Sequence, residues 1–323
     1  MRSTIQLGCC LLLAGSLGLY AQESGGTQPS GDADQAPATQ NLPPSPGTAQ
    51  TAAAQKPAAK AAGPSAQDLA NQVNNPAAPV TFIQFRNILA PGVPGADGVA
   101  NALQMQPVLP IGPFKFIPYV QLMKITMPFY LVVPGTVSPQ QSGVSGVGDL
   151  QLFDLVTIKQ SWGRWGFGPT LVFPTASTNA TGAGKWQAGP SVALIYTGIK
   201  NLTAGAIIQN PVSYAGSASR PNVNSMIISP TFTFNLKEGW FVGLSDYNWS
   251  FNWENGGAAT VPLGVQAGKI VTLGKQPISL SVEAGGTAVR PAGTPNPGWI
   301  LGFELSPIFN FHIGPGEKIE VRK

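Results

Sequence analysis

Residues 224–236 read NSMIISPTFTFNL, and apolar side chains occupy every second position of this stretch. Met226, Phe232 and Phe234 share one face, and the residues between them are mostly Ser, Thr and Asn. A repeat of two residues is the period of a β-strand, whereas a helix repeats every 3.6 residues. The stretch therefore predicts a strand with one apolar face and one polar face.

The connections between such segments alternate in length along the chain. Long loops are rich in Gly, Pro, Ser, Thr and Asn, whereas each short turn carries one lysine: Lys115, Lys159, Lys200, Lys237 and Lys275. Transmembrane β-barrels join their strands by short periplasmic turns and longer external loops. The pattern therefore predicts an all-β fold, an antiparallel up-and-down transmembrane barrel with the lysine turns on the periplasmic side.

We count twelve strand segments. Because this number is even, the N-terminal and C-terminal ends of the barrel domain are both expected on the periplasmic side. The alternation in residues 240–244 is out of phase with that in 247–253, and residues 150–155 show a similar conflict. We expect a β-bulge or a strand end at each of these two places. The segments are 81–89, 101–111, 116–133, 147–158, 163–174, 186–198, 202–211, 223–236, 240–252, 261–272, 277–289 and 298–313.

Aromatic rings support the barrel interpretation, whereas prolines inside strands argue against it. Four rings at alternate positions are expected to form a girdle at the membrane interface: Tyr247, Trp249, Phe251 and Trp253. Prolines inside strands argue against a closed barrel, which has no free edge, unless bulges or rim positions accommodate them: Pro107, Pro128, Pro230 and Pro307. A soluble two-sheet sandwich is the alternative, but it does not explain a lysine in every short turn.

The composition fits a membrane-embedded protein without membrane helices. Charged residues make up 10% of the chain, against about a quarter in a soluble domain, and no run after the N-terminus approaches the roughly 20 apolar residues of a spanning helix. The expected partner is therefore the lipid bilayer of the outer membrane. The net charge of +4 is scattered over the turns, so no nucleic-acid partner is expected.

The N-terminal quarter divides into three parts. Residues 1–21 have the charged and apolar regions of a cleaved signal peptide, which predicts export to the bacterial outer membrane; a lipoprotein signal at Cys9 is a weaker alternative. Residues 22–64 are rich in Ala, Pro and Gln and predict a disordered periplasmic linker. A capping box at Ser65 and Asp68 begins a short helix within residues 65–79. It either plugs the barrel or hangs below it, and we favour the second because two large apolar residues bury little area.

Catalytic chemistry has little support in the sequence. Both cysteines lie in the signal segment, and His312 is the one histidine, near the end of the last strand, where we expect it to face water in the barrel interior. A nucleophile would need such a base beside it. We therefore expect no catalytic residue, no metal site and no cofactor.

The few charges inside strands are expected to point into the barrel. Their alternation with Ser, Thr and Gln places them on the polar face, and a charge facing lipid would cost about 2–4 kcal/mol for Arg or Lys. They either pair to stabilise a filled interior or set selectivity, with a cation or Lys124 between Glu283 and Glu304. The interior candidates are Arg86, Gln104, Gln106, Lys124, Thr231, Glu283 and Glu304.

Several stretches resemble the outer-membrane proteins assigned as transporters of the phenol-degradation meta pathway, often labelled bacterial neuromedin U. The resemblance covers most of residues 65–313, and its most specific part is the hairpin GAGKWQAGP at 182–190. Other matches are GVGD at 146–149, WGFGP at 165–169, LQMQPVLP at 103–110 and LGKQPISL at 273–280. The polar tail at 314–323 departs from the barrels that end on an aromatic residue.

This resemblance implies an outer-membrane channel or diffusion transporter for small molecules, including hydrophobic or aromatic compounds. The alternative is a non-conducting barrel that anchors an assembly or binds a partner. The oligomeric state stays open.

Overall fold

The computed structural model describes residues 65–93, 96–136, 143–292 and 297–314. The predicted signal peptide and linker, and all but the first residue of the predicted tail, lie outside these residues. A helix, α1 (Ala66–Val73), precedes twelve barrel strands. The strands are β1 Thr81–Ala90, β2 Ala100–Ile111, β3 Val120–Val133, β4 Val144–Val147 with Leu150–Gln160, β5 Gly163–Phe173, β6 Lys185–Tyr196, β7 Leu202–Gln209 with Val212–Gly216, β8 Ser225–Asn235, β9 Trp240–Leu244 with Trp249–Asn252, β10 Ala258–Leu273, β11 Gln276–Val289 and β12 Ile300–Phe309.

The twelve strands form one closed antiparallel barrel. Each strand pairs with the strand before it and the strand after it, and β12 pairs with β1 in a register that sets Arg86 opposite Glu304. The predicted barrel and its strand number are confirmed, and the sandwich alternative is wrong. Two 3₁₀ turns, Lys237–Gly239 and Trp253–Asn255, and a small ladder between Ala96–Asp97 and Gly135–Thr136 complete the regular structure of the described residues.

The alternation in the sequence separates the outside of the barrel wall from its interior. In β8, Phe232 and Phe234 are 49% and 43% exposed on the outer face, whereas Thr233 and Asn235 are 2% and 1% exposed. Lipid contact suits the outer rings, and the inner hydroxyls and amides bond to one another across strands. The wall thus has the apolar outside and polar inside of a membrane barrel.

Strand β9 carries the bulge that the phase conflict predicts. Register fixes Thr233 opposite Gly243 and Ile228 opposite Trp249. Four residues of β8 (229–232) therefore face five residues of β9 (244–248). One extra residue re-aims the side chains of the bulged strand, and here it turns Asp246 and Tyr247 into the barrel.

The bulge in β9 also explains how Pro230 fits in the wall. We expected bulges or rim positions to accommodate the prolines, and a bulge does so for Pro230. Pro230 itself stands in unbroken register with Ala206 of β7. On its other side lies the interrupted part of β9, where no regular ladder needs an N–H donor. The bulge that accommodates Pro230 thus lies in the neighbouring strand.

Helix α1 closes the short-turn end of the barrel. Ser65 and Asp68 form the predicted capping box, and Leu69 and Val73 pack with Ala70 against the inward-facing Ile270 and Ile308. Asn74 Nδ2 donates to Asn235 Oδ1 at 2.7 Å. The helix therefore sits in the barrel mouth, and the favoured expectation that it hangs below was wrong. No helix in the described part of the chain is long and apolar enough to cross a membrane.

Candidate functional site

Two cavities occupy the barrel interior, one above the other. The outer cavity, at the long-loop end, has a volume of about 100 Å³ and is lined by residues of nearly every strand, among them Gln104, Tyr130 and Ser250. The inner cavity, of about 110 Å³, ends at Val73 and Asn74 of the helix segment. Two internal spaces therefore lie along the barrel.

Three residues line both cavities and so define the junction between them: Lys124, Phe153 and Asp246. Lys124 of β3 and Phe153 of β4 are direct cross-strand partners. Asp246 lies in the bulge of β9. Strands β3 and β9 are six apart in a ring of twelve, so the cation and the carboxylate stand on opposite walls.

A buried ion pair lies beside the junction. Arg86 Nη2 is 2.6 Å from Glu283 Oε2, and these side chains are 5% and 0% exposed. The Arg86 guanidinium also lies 5.2 Å from the centre of the Tyr247 ring, an arrangement in which the ring face attracts the cation. Arg86 is therefore held from two sides, and its charge is compensated within the wall.

Glu304 is held by neutral donors on the same side of the barrel. Gln84 Nε2 donates to it at 2.6 Å and Ser306 Oγ at 2.8 Å. We expected a cation or Lys124 between Glu283 and Glu304, but Arg86 pairs with Glu283 instead. Arg86 lies on β1, next to β12, and its long side chain reaches the carboxylate on β11.

The other interior candidates line the cavities without forming one cluster. Gln104 and Gln106 lie on the outer cavity, where Gln106 Nε2 donates to Gln104 Oε1 at 2.7 Å. Thr231 lies on the inner cavity. Six of the seven interior candidates line a cavity, and Glu283, which lines neither, is buried against Arg86. Lys124 is the member of the set at the junction.

The predicted aromatic girdle needs one correction. Tyr247 is 5% exposed and lines the outer cavity, where its hydroxyl donates to the Ile300 carbonyl at 3.3 Å. The bulge in β9 turns it inward, out of phase with Trp249, Phe251 and Trp253. Trp249 and Phe251 lie on the strand parity opposite the cavity-lining Ser250. Trp253 lies beyond the strand, in a 3₁₀ turn, and is exposed.

A loop between β5 and β6 folds over the outer cavity. Thr181 and Gly182 of this loop line the cavity, and Asp149 accepts hydrogen bonds from the Ala176 and Ala183 N–H groups at 3.1 and 2.6 Å. From the opposite side, Arg220 donates to loop carbonyls, including that of Asn179 at 3.0 Å. Two charged side chains thus fix the loop at the mouth.

Sequence reasoning missed Phe153, Asp149, Asp246 and Arg220. Asp246 lay within the phase conflict of β9, which signalled a bulge but not the direction of its side chains. His312, expected to face water in the barrel interior, instead lies beyond the end of β12, where its ring Nε2 contacts the Gly112 carbonyl. It does not line either cavity.

Comparison with known proteins shows similarity at the level of the fold. No protein-family model and no curated protein sequence matches the chain. The COG4313 outer membrane channel from Pseudomonas putida F1 superposes with a TM-score of 0.52 at 13% identity, over 71% of this chain and 96% of that one. Outer membrane phospholipase A from Escherichia coli superposes with a TM-score of 0.41 at 9% identity, over 72% and 90% of the two chains. At these identities the similarity extends to the outer-membrane barrel fold.

Proposed function

We propose that this protein lies in the outer membrane and forms a channel through which small molecules diffuse. The observation that carries the proposal is the stack of two cavities along the barrel interior, with both lined by polar and apolar side chains. A barrel that served only as an anchor would gain stability from filling this space with packed side chains. The fold shared with an outer membrane channel supports the same function.

The solute class follows from the lining. Gln104, Gln106 and Gln151 offer amide groups to the outer cavity, while Tyr130 and Phe153 offer ring faces. This mixture suits small compounds with an aromatic or aliphatic group, as the resemblance to transporters of the meta pathway implies. The position of α1 at the inner end of the barrel also favours small solutes over large hydrated ones.

We propose no enzymatic activity for this barrel. Among the described residues that line the cavities there is no histidine that could activate a serine or threonine hydroxyl. His312 sits at the short-turn end beside a backbone carbonyl. A hydrolysis assay with fluorogenic esters and phospholipids on the purified protein is expected to give no turnover above the detergent blank.

Planar-bilayer recording tests the channel. The purified full-length chain, shown to be folded by its altered gel mobility before boiling, is expected to give small, steady conductance steps in potassium chloride. A folded protein that gives no steps, even after deletion of residues 65–75, would favour the alternative of a non-conducting anchor or partner-binding barrel.

A further inference from the structure

The charges that line the two cavities differ in whether they have a partner. Arg86 is paired with Glu283 at 2.6 Å, and Glu304 accepts hydrogen bonds from Gln84 and Ser306. Asp149 is held by two backbone N–H groups. Lys124 and Asp246, in contrast, make no hydrogen bond or ion pair with any described residue.

These two unpaired charges stand on opposite walls where the two cavities meet. They are the charged residues that border both cavities, so a solute passing from one cavity to the other meets both. They stand on opposite walls, Lys124 on β3 and Asp246 in the bulge of β9. The junction therefore has a positive side and a negative side.

The third residue of the junction is apolar. Phe153 is 7% exposed and packs with Leu155, Ala193 and Ile207 in a cluster on the inner wall. Its position directly beside Lys124 offers an apolar surface next to the positive side. A ring or a branched alkyl group of a solute would bury area against it.

We propose that this junction binds a small zwitterion that carries an apolar or aromatic group, a compound of the aromatic amino acid type. The solute carboxylate contacts Lys124, its ammonium contacts Asp246, and its side group packs on Phe153. The proposal rests on the channel function above, since it names the class of solute that the path selects.

A solute with a single charge fits this junction less well. An anionic solute is repelled by the Asp246 carboxylate and leaves it without a partner. A cationic solute is likewise repelled by the Lys124 ammonium and leaves that group without a partner. Inside a barrel, where the effective dielectric constant is lower than in water, such uncompensated charges are costly. A zwitterion satisfies both walls at once, so the selection comes from matching two charges rather than from size.

Four probes of nearly equal size separate the charge requirement from the fit of the ring: phenylalanine, 3-phenylpropanoate, 2-phenylethylamine and 2-phenylethanol. Titration calorimetry on the full-length chain in detergent measures the affinity for each. Phenylalanine is expected to bind at least about tenfold more tightly than any of the other three, which corresponds to about one charge-assisted contact. Equal affinities for all four probes, or no binding of any, would overturn the proposal.

Substitutions at Lys124 and Asp246 test which residue contacts which charge of the solute. Lys124→Met is expected to remove the advantage of phenylalanine over 2-phenylethylamine, and Asp246→Asn its advantage over 3-phenylpropanoate. Thr126→Val is the matched control, because Thr126 lies two residues from Lys124 on the same cavity and carries no charge; its affinities should not change. The exchanged pair Lys124→Asp with Asp246→Lys should keep the preference for the zwitterion, and loss of that preference in a folded exchange variant would contradict the assignment.

The binding measurement tests the proposed site, and the conductance measurement tests the channel function, so each proposal can fail without the other. A barrel that conducts but binds the four probes equally keeps its channel function and loses this site. A barrel that binds phenylalanine preferentially but never conducts keeps the site and loses the channel function.

Discussion

Arg86 and Glu283 meet across an intervening strand, because Arg86 lies on β1, Glu283 lies on β11, and β12 runs between them. Their side chains join at 2.6 Å over Gly302. A methyl group at position 302 would lie 2.8 Å from Glu283 Oε2. The glycine thus leaves the space through which the two side chains reach each other.

Glu283→Ala is expected to destabilise the folded barrel by about 3–5 kcal/mol, because it leaves the buried Arg86 guanidinium without its counter-ion. Guanidinium-induced unfolding of the barrel in detergent micelles measures the loss. The double variant Arg86→Met with Glu283→Leu removes both charges and should recover most of the stability. If the single and double variants were equally destabilised, the ion pair would not be the cause.

Glu283→Gln is expected to shift the ion preference of the channel towards anions. The substitution keeps an amide oxygen for Arg86 but uncovers its positive charge beside the outer cavity. Reversal potentials in a potassium chloride gradient report the shift. The Glu304 carboxylate is held by neutral donors and lines the inner cavity. Glu304→Gln removes its negative charge and should shift the ion preference in the same direction. Unchanged reversal potentials in both variants would contradict the assignment of these charges.

Deletion of residues 65–75 is expected to raise the single-channel conductance, because α1 packs inside the short-turn end of the barrel. A milder test replaces Leu69 and Val73 with Ser, which removes the apolar contact to Ile270 and Ile308. Conductance should then rise in the same direction. Asp68→Asn, which alters the exposed capping box, serves as the control and should leave the open-channel current unchanged.

Arg220→Gln is expected to loosen the loop of residues 174–184, because three backbone carbonyls lose a charged donor. Limited proteolysis of intact cells should then cut this loop faster than in the wild type, and channel recordings should show more current noise. Ser219→Ala, one residue away on the same loop, is the control. Equal cleavage rates in all three proteins would show that Arg220 does not fix the loop.

The lysine turns are expected to lie at the periplasmic end. Lys237→Cys and Ser219→Cys both place a thiol at an exposed position, the first in a short turn and the second in a long loop. An impermeant maleimide applied to intact cells should label the cysteine at 219 and miss the one at 237. The reverse result would invert the topology of the barrel.

The sequence was sufficient for the strands, their number and the face of most side chains, because the pleat of a strand fixes a period of two. The sequence was insufficient at the β-bulge, where one extra residue is inserted into a strand. In β9 the extra residue turns Tyr247 inward against the alternation and places Asp246 at the junction, and no local pattern states the direction of a bulge. The pairing of Arg86 with Glu283 was likewise hidden, since it depends on side chains reaching across β12 at Gly302.

Helix α1 is covalently tied to the barrel by the segment from Asn74 to Val80, which enters strand β1 directly. A tethered group of this kind experiences an effective local concentration on the order of millimolar from a short linker. The helix therefore behaves as a ligand that cannot be diluted, and its binding at the mouth does not depend on protein concentration. How firmly the mouth is occupied is set by a few contacts around Leu69, Ala70 and Val73.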